Sequence, residues 1–218
     1  PMIQGLESMA NASADDIEHL GADLIEEVTG FRPVAGKTSN RSPRASIHHD
    51  SDKATADDLQ FFRSLALQLE SRSPLFKGRT MRILRLAQET NRAGGNLVDA
   101  VQLEAAVYVH DIGMMLLPES IWLKIGRMTD EDKLALRNHP GFAAGLLQRM
   151  PGWEGAAEIV SQHHEMPDGA GYPAQLPATS ICPGAKILAI VDAFEAVMLK
   201  HIHRGKNRSV LRAIAEVN

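Results

Sequence analysis

The residues best suited to chemistry lie in one run, His163-His164-Glu165, which leads through a glycine-rich turn to Gly171-Tyr172-Pro173. Successive residues on a helix point about 100° apart. Both imidazoles can therefore serve one centre only from a helix end that looks into a cavity. Upstream, His110-Asp111 follows the apolar run from Ala105 to Val109, and His139 stands between the two pairs. Downstream, Asp192 follows the apolar run from Ile187 to Val191. Imidazoles and carboxylates at the ends of apolar helices describe a nitrogen- and oxygen-rich metal site inside a helical bundle. An isolated buried carboxylate is costly unless it is paired or binds a metal, which argues against a purely structural Asp192.

The elements that must present these groups can be read from apolar spacing. Residues 15–28 carry Ile17, Leu20, Leu24 and Val28 on one helical stripe. From Gly30 to Ala54 the chain mixes Pro, Gly, Ser and Asn with Arg and His and shows no period, so it reads as a linker containing His48-His49. Thr55 with Asp58 predicts an N-cap, opening a helix that buries Leu59, Phe62, Ala66 and Leu69 and closes at Ser73-Pro74. A second helix is predicted over 78–92, closed by Gly94-Gly95. A third spans 97–110, with Val98, Val101, Ala105 and Val109 on one face, His110 at its end and Gly113 as its breaker. Thr129 and Asp132 cap a fourth helix, through Leu134 and Leu136, that runs toward His139, where Pro140 must kink or restart it. Residues 153–165 present the paired histidines; a loop to Pro183, an apolar helix to about Leu199 and a last amphipathic helix through Val210 and Val217 complete the chain. No strand pattern appears, and the predicted fold is all-α: a short N-terminal helix and linker over 1–54, then a helical bundle over 55–218.

Composition narrows the classes. In 218 residues, 44% are hydrophobic but only 5% aromatic, so Leu, Ala, Ile and Met must do most of the packing. A net charge of −4 argues against a nucleic acid polymer as partner. The single cysteine, Cys182, excludes an internal disulfide and fits a reducing cytoplasm. No uncharged run approaches the ~20 residues of a membrane span.

The ordered set His110-Asp111-Ile112-Gly113, Leu117-Pro118-Glu119-Ser120-Ile121, His139-Pro140-Gly141, His163-His164-Glu165, Gly171-Tyr172-Pro173 and Lys186 to Asp192 resembles the HD-GYP family of cyclic di-GMP phosphodiesterases over about residues 60–215. The resemblance implies an HD-domain helical bundle and a metal-dependent hydrolase of bacterial signalling that opens cyclic di-GMP to the linear dinucleotide or GMP. It implies that His110, Asp111 and Asp192 face a first metal, and that Asp111, His139, His163 and His164 face a second. Imidazole with carboxylate favours iron or manganese, with zinc the alternative, at one or two ions per chain. Asp111 would bridge them and Glu165 would either act in the chemistry or support a ligand histidine. Tyr172, Pro173 and Arg204 would contact the nucleotide, Tyr172 either stacking on guanine or packing its loop. Further expected partners are signalling proteins, acting through a sensory or receiver domain ahead of Pro1, and a second copy in a homodimer.

Departures from the pattern limit what the resemblance carries. Arg79 stands where the family places a first histidine ligand, and a guanidinium has no lone pair to give. Met114 replaces a lysine expected at a phosphate, and His201-Ile202-His203-Arg204 leaves only Arg204 of a basic clamp. Two readings follow: an enzyme with impaired turnover, or a degenerate module that binds nucleotide or protein without hydrolysis. If Arg79 enters the cavity beside His110 and Asp192, the first metal position is compromised.

Overall fold

The structure, a computed structural model, describes residues 48–124 and 127–203. The predicted helices over 15–28 and 210–217, and Arg204, lie outside these residues. Among the described residues eight α-helices follow one another: α1 (His48–Glu70), α2 (Arg79–Ala93), α3 (Ala100–Val109), α4 (Glu119–Trp122), α5 (Asp130–Leu136), α6 (His139–Leu147), α7 (Glu154–Gln162) and α8 (Pro183–His203). Short 3-10 turns occupy Pro74–Phe76 and Ile112–Leu116. Among the described residues there is no strand, and a single isolated bridge joins Asp168 to Pro177. No described helix is long and apolar enough to cross a membrane.

α3 is the centre of the bundle, with α1, α2 and α7 packed against it. α8 lies on α2 and α7, and α6 on α7 and the second 3-10 turn. The single apolar face expected on α3 is a misreading. Leu103 and every residue from Ala105 to Val109 are buried, so the second half of the helix is enclosed all round, while Val101 in its first turn is exposed. Phe62, Ala66 and Leu69 of α1 enter this core as their spacing requires.

Local chemistry accounts for most helix boundaries. Asp99 accepts from the amides of Val101 and Gln102 and starts α3. Thr129 and Asp132 form the reciprocal capping box expected at the start of α5. Pro140 falls in the first turn of α6, where its missing N–H costs nothing, so it restarts a helix rather than kinking one. Leu134 of α5 is exposed.

The cap expected at Thr55 is not one. α1 begins at His48 and runs straight through Thr55, so the last residues of the expected linker, His48-His49 included, are helical. Asp58, read as the capping partner, accepts a hydrogen bond from the indole of Trp153 at 2.8 Å, pinning α1 to the start of α7. Trp153 also meets Phe62 edge to face, with ring centroids 5.1 Å apart.

Candidate metal centre

Three of the histidines share one construction. His110, His139 and His163 each follow the last turn of a helix, and each donates from Nδ1 to the carbonyl three residues back: Val107 at 2.8 Å, Leu136 at 2.7 Å and Val160 at 2.7 Å. These carbonyls belong to final helical turns, which have no partner within their own helix. The bond therefore caps the helix and, by placing the proton on Nδ1, turns the Nε2 lone pair inward. All three Nε2 atoms are buried without a hydrogen-bond partner. Three buried ring nitrogens without a partner are expensive unless something else binds there.

The inward-facing groups form two sets. His139, His163 and His164 bring ligand atoms within 4.8 Å of one another, as do His110, Asp111 and Asp192. Asp111 lies between them: Oδ1 is 3.5 Å from Nε2 of His139, and Oδ2 is 3.2 Å from Nε2 of His110. The imidazoles of His163 and His164 are close, with centroids 4.0 Å apart. The structure thus gathers His110, Asp111, His139, His163, His164 and Asp192 into one cavity. The donor set of the first group, three imidazoles beside a carboxylate oxygen, suits a divalent ion.

The second group holds a different cation. Arg79, the first residue of α2, places Nη1 2.7 Å from Oδ2 of Asp111 and pairs through Nη2 with Oδ1 of Asp192. Its guanidinium carbon lies 5.9 Å from the centre of the Phe76 ring. Glu70, at the end of α1, accepts from the amides of Gly78 and Thr80 and so fixes the turn that carries Arg79. One turn further, Arg82 pairs with Glu195.

The titration behaviour of the metal-free site follows from this partition. Burial, and then the neighbouring histidines, push His163 well below the ordinary histidine range. Burial first and His139 second bring His164 down to about 4, and burial also lowers His139. His110 goes the other way. Burial opposes its charge, but Asp111 and Asp192 outweigh this and raise it to about 10. The His110–Asp111 contact is too poorly aligned for a hydrogen bond, so close opposite charge is the operative cause. Burial would raise Asp192, yet Arg79 brings it down to about 2, and Asp111 is lowered by His110 and Arg79 against the same burial penalty.

A pH dependence follows for chelator-treated protein. Between the ordinary value of 6.5 and about 4, His164 is protonated in the unfolded chain but not in the folded one. His139 and His163 act in the same direction, so stability present above pH 6.5 is lost as pH falls toward 4. Each such histidine adds a slope of up to ~1.4 kcal/mol per pH unit. His110 contributes the opposite limb, present below 6.5 and lost as pH rises toward 10. Thermal melts of metal-free protein should therefore peak near neutrality and fall on the acid side; a flat profile from pH 7 to 4.5 contradicts the buried neutral histidines.

Glu165 requires a correction. Expected as a chemical group or a support for a ligand histidine, it spends both oxygens on the loop, accepting from the amides of Ala174 at 2.6 Å and Leu176 at 2.9 Å. With Tyr172 N–H donating to His164 O and the Asp168–Pro177 bridge, it folds residues 166–177 over the paired histidines. Gly171 is required there because a Cβ would lie 2.3 Å from the Met166 nitrogen. Glu165→Gln leaves one loop N–H facing an amide N–H. It is expected to cost about 1–3 kcal/mol, read by urea unfolding, and to speed hydrogen exchange of the loop; unchanged exchange would refute the clamp.

Tyr172 lies over His164, with centroids 4.8 Å apart at 31°, and Arg137 sits 5.3 Å from its ring centre. Pro173 is exposed on the same loop, joined to Tyr172 by a cis peptide. His201 falls in the last turn of α8.

Beside the charged group opens a cavity of about 270 Å³, lined by Phe76, Arg79, Tyr108, Asp111, Met114 and Trp122 among others. The rings of Phe76 and Trp122 are nearly parallel, 12° apart with centroids separated by 6.3 Å, and Trp122 Nε1 is buried without a partner. Sequence reasoning missed this aromatic pair and the Glu70 clamp. The scarcity of aromatics was the available signal, since so few rings are seldom spent on a surface turn.

Comparison with known proteins gives the family. The HD domain family matches residues 38–218. A cyclic di-GMP phosphodiesterase of Vibrio cholerae is 34% identical over 103 residues, covering 44% of this chain and 21% of its own. A 3'3'-cGAMP-specific phosphodiesterase 1 of the same organism is 34% identical over 109 residues, 48% of this chain and 25% of its own. The cyclic di-GMP phosphodiesterase response regulator RpfG of Xanthomonas campestris is 34% identical over 98 residues, 44% of this chain and 26% of its own. The aligned region is thus about a quarter or less of each relative. With the family match over most of its length and the histidine and aspartate motifs in order, this chain belongs to the HD-domain family, in its HD-GYP branch.

Proposed function

We propose that this chain is the hydrolase module of a metal-dependent phosphodiesterase that acts on a cyclic dinucleotide, cyclic di-GMP first. The observation that carries this reading is the convergence of buried, partnerless imidazole nitrogens of His139 and His163 with His164 beside Oδ1 of Asp111. These four residues would hold a divalent ion, and the mixed imidazole–carboxylate set favours iron or manganese. When bound, the ion supplies Lewis acidity toward a phosphoryl oxygen and acidifies water at neutral pH.

The remaining roles fall to the chain itself. Asp111 orients the site and compensates its charge. The Nδ1 bonds hold His139 and His163 in the correct tautomer. The loop clamped by Glu165 keeps Tyr172 at the mouth of the site, where its ring can stack on a base. The aromatic cavity is smaller than the roughly 300–1,000 Å³ that encloses a drug-sized ligand, so it would take one base rather than a whole dinucleotide. There, Trp122 Nε1–H offers an unused donor to a base edge.

A second reading is supported by Arg79 and Met114. With Arg79 bonded to two carboxylates and no lysine at 114, the module could bind nucleotide and signal without turnover. Manganese-loaded protein incubated separately with cyclic di-GMP and 3'3'-cGAMP, with products resolved by chromatography, decides between them. Linear dinucleotide or mononucleotide from either substrate supports the enzyme and names its preference. Saturable binding without product establishes the regulatory module instead, and neither binding nor product removes the cyclic dinucleotide reading.

A further inference from the structure

We propose that Arg79 is a built-in cation occupying the place of one metal, so that the centre is mononuclear, on His139, His163, His164 and Oδ1 of Asp111. The inference rests on the metal reading above and deepens it. His110, Asp111 and Asp192 converge closely enough to hold an ion. Both carboxylates, however, already give an oxygen to the guanidinium. An ion there needs ligand atoms at roughly 2.0–2.2 Å, and the two oxygens cannot serve it while bonded to Arg79. The guanidinium cannot become a ligand itself, because it has no lone pair and does not deprotonate in proteins.

Displacing it is costly for three reasons. Its side chain is only 16% exposed, so removal from the carboxylates would leave a largely desolvated charge unpaired. The ring of Phe76 lies near its far side. The amides on either side of it are held by Glu70, so its backbone has little freedom to retreat. The charge arithmetic agrees: one guanidinium faces Asp111 and Asp192, and a second ion beside it would be repelled. Asp111 divides its two oxygens accordingly, Oδ2 toward Arg79 and Oδ1 toward His139. The bridging geometry of a two-metal site survives, with a side chain in place of one ion.

The 218-residue chain, stripped with chelator and reloaded with manganese(II), tests this by mass-spectrometric metal counting and electron paramagnetic resonance. Wild-type protein is expected to retain about one manganese per chain with the signal of an isolated ion. Arg79→His should retain about two and show an exchange-coupled pair. Arg79→Ala, which frees the carboxylates without adding a ligand, should bind a second ion more weakly and serves if the histidine variant does not fold. Two tightly held ions in wild-type protein overturn the inference while leaving the metal reading intact, as does folded Arg79→His protein that still holds only one, or folded Arg79→Ala protein that takes up no second ion even in excess manganese. No ion in folded wild-type protein overturns both.

Discussion

Asp111→Asn is expected to lose bound metal almost completely and to lower any hydrolysis by about a thousandfold or more, the equivalent of several kcal/mol of ion-derived stabilisation. Asp111 is 6% exposed and is the one carboxylate that faces both halves of the cavity. Asparagine keeps its shape and removes its charge. The ion beside His139 loses its anionic ligand, and Arg79 is left with Asp192 alone. Breaking a buried charge pair costs roughly 3–5 kcal/mol, which for a domain of this size lowers the melting temperature by on the order of 10 °C. Metal counting and thermal unfolding of the chelated protein separate the two losses. A variant that keeps both its ion and its wild-type melting temperature would show that Asp111 is not the hinge of this site.

Gly113→Ala is expected to be the most damaging substitution of a residue that carries no functional group. A Cβ at this position would lie 2.0 Å from the carbonyl oxygen of His139 and within 3 Å of two further backbone atoms of that residue. No side chain can rotate away, so the 3-10 turn after Asp111 or the start of α6 must move. Overpacking typically costs 1–3 kcal/mol, and a backbone clash should fall at or above about 3 kcal/mol. The displacement also drags His139 from Asp111, so metal binding should weaken beyond the loss of stability. Gly141→Ala is the control. It lies two residues past His139, nothing comes within 4 Å of its Cβ, and a helical alanine should stabilise by about 0.5–1 kcal/mol. Denaturant unfolding of the pair should give opposite signs, and a neutral Gly113→Ala would mean that the close approach is easily relaxed.

Gly113 also shows what local reading can and cannot supply. As a helix breaker it was misread: α3 has already ended at Val109, and the glycine is needed for a contact 26 positions along the chain. The same distinction runs through the molecule. Helix ends at His110 and His163 were legible because apolar periodicity stops there and a polar side chain takes over. The capping box at Thr129 was legible because it is closed within four residues. Thr55 with Asp58 presented the same pattern, but Asp58 is claimed by an indole 95 residues away, which no local spacing reveals. Glu165 adjoins the paired histidines in sequence, yet its partners are amides nine and eleven residues on. Arg79 was the opposite case. Its consequence was legible because the question was chemical rather than conformational: a guanidinium in a ligand's place must find a carboxylate.

The Glu70 contact has a mechanical meaning. One carboxylate, at the last residue of α1, holds the amides of Gly78 and Thr80, which straddle Arg79. The two helices are thereby riveted at the point where the guanidinium departs. α1 spans 23 residues, a rod of roughly 34 Å at 1.5 Å per residue, and Trp153 gives it a fulcrum at Asp58, near its middle. A displacement at the His48 end of this rod would therefore be felt at the turn that carries Arg79. A shift of that turn would move one charged fork between Asp111 and Asp192.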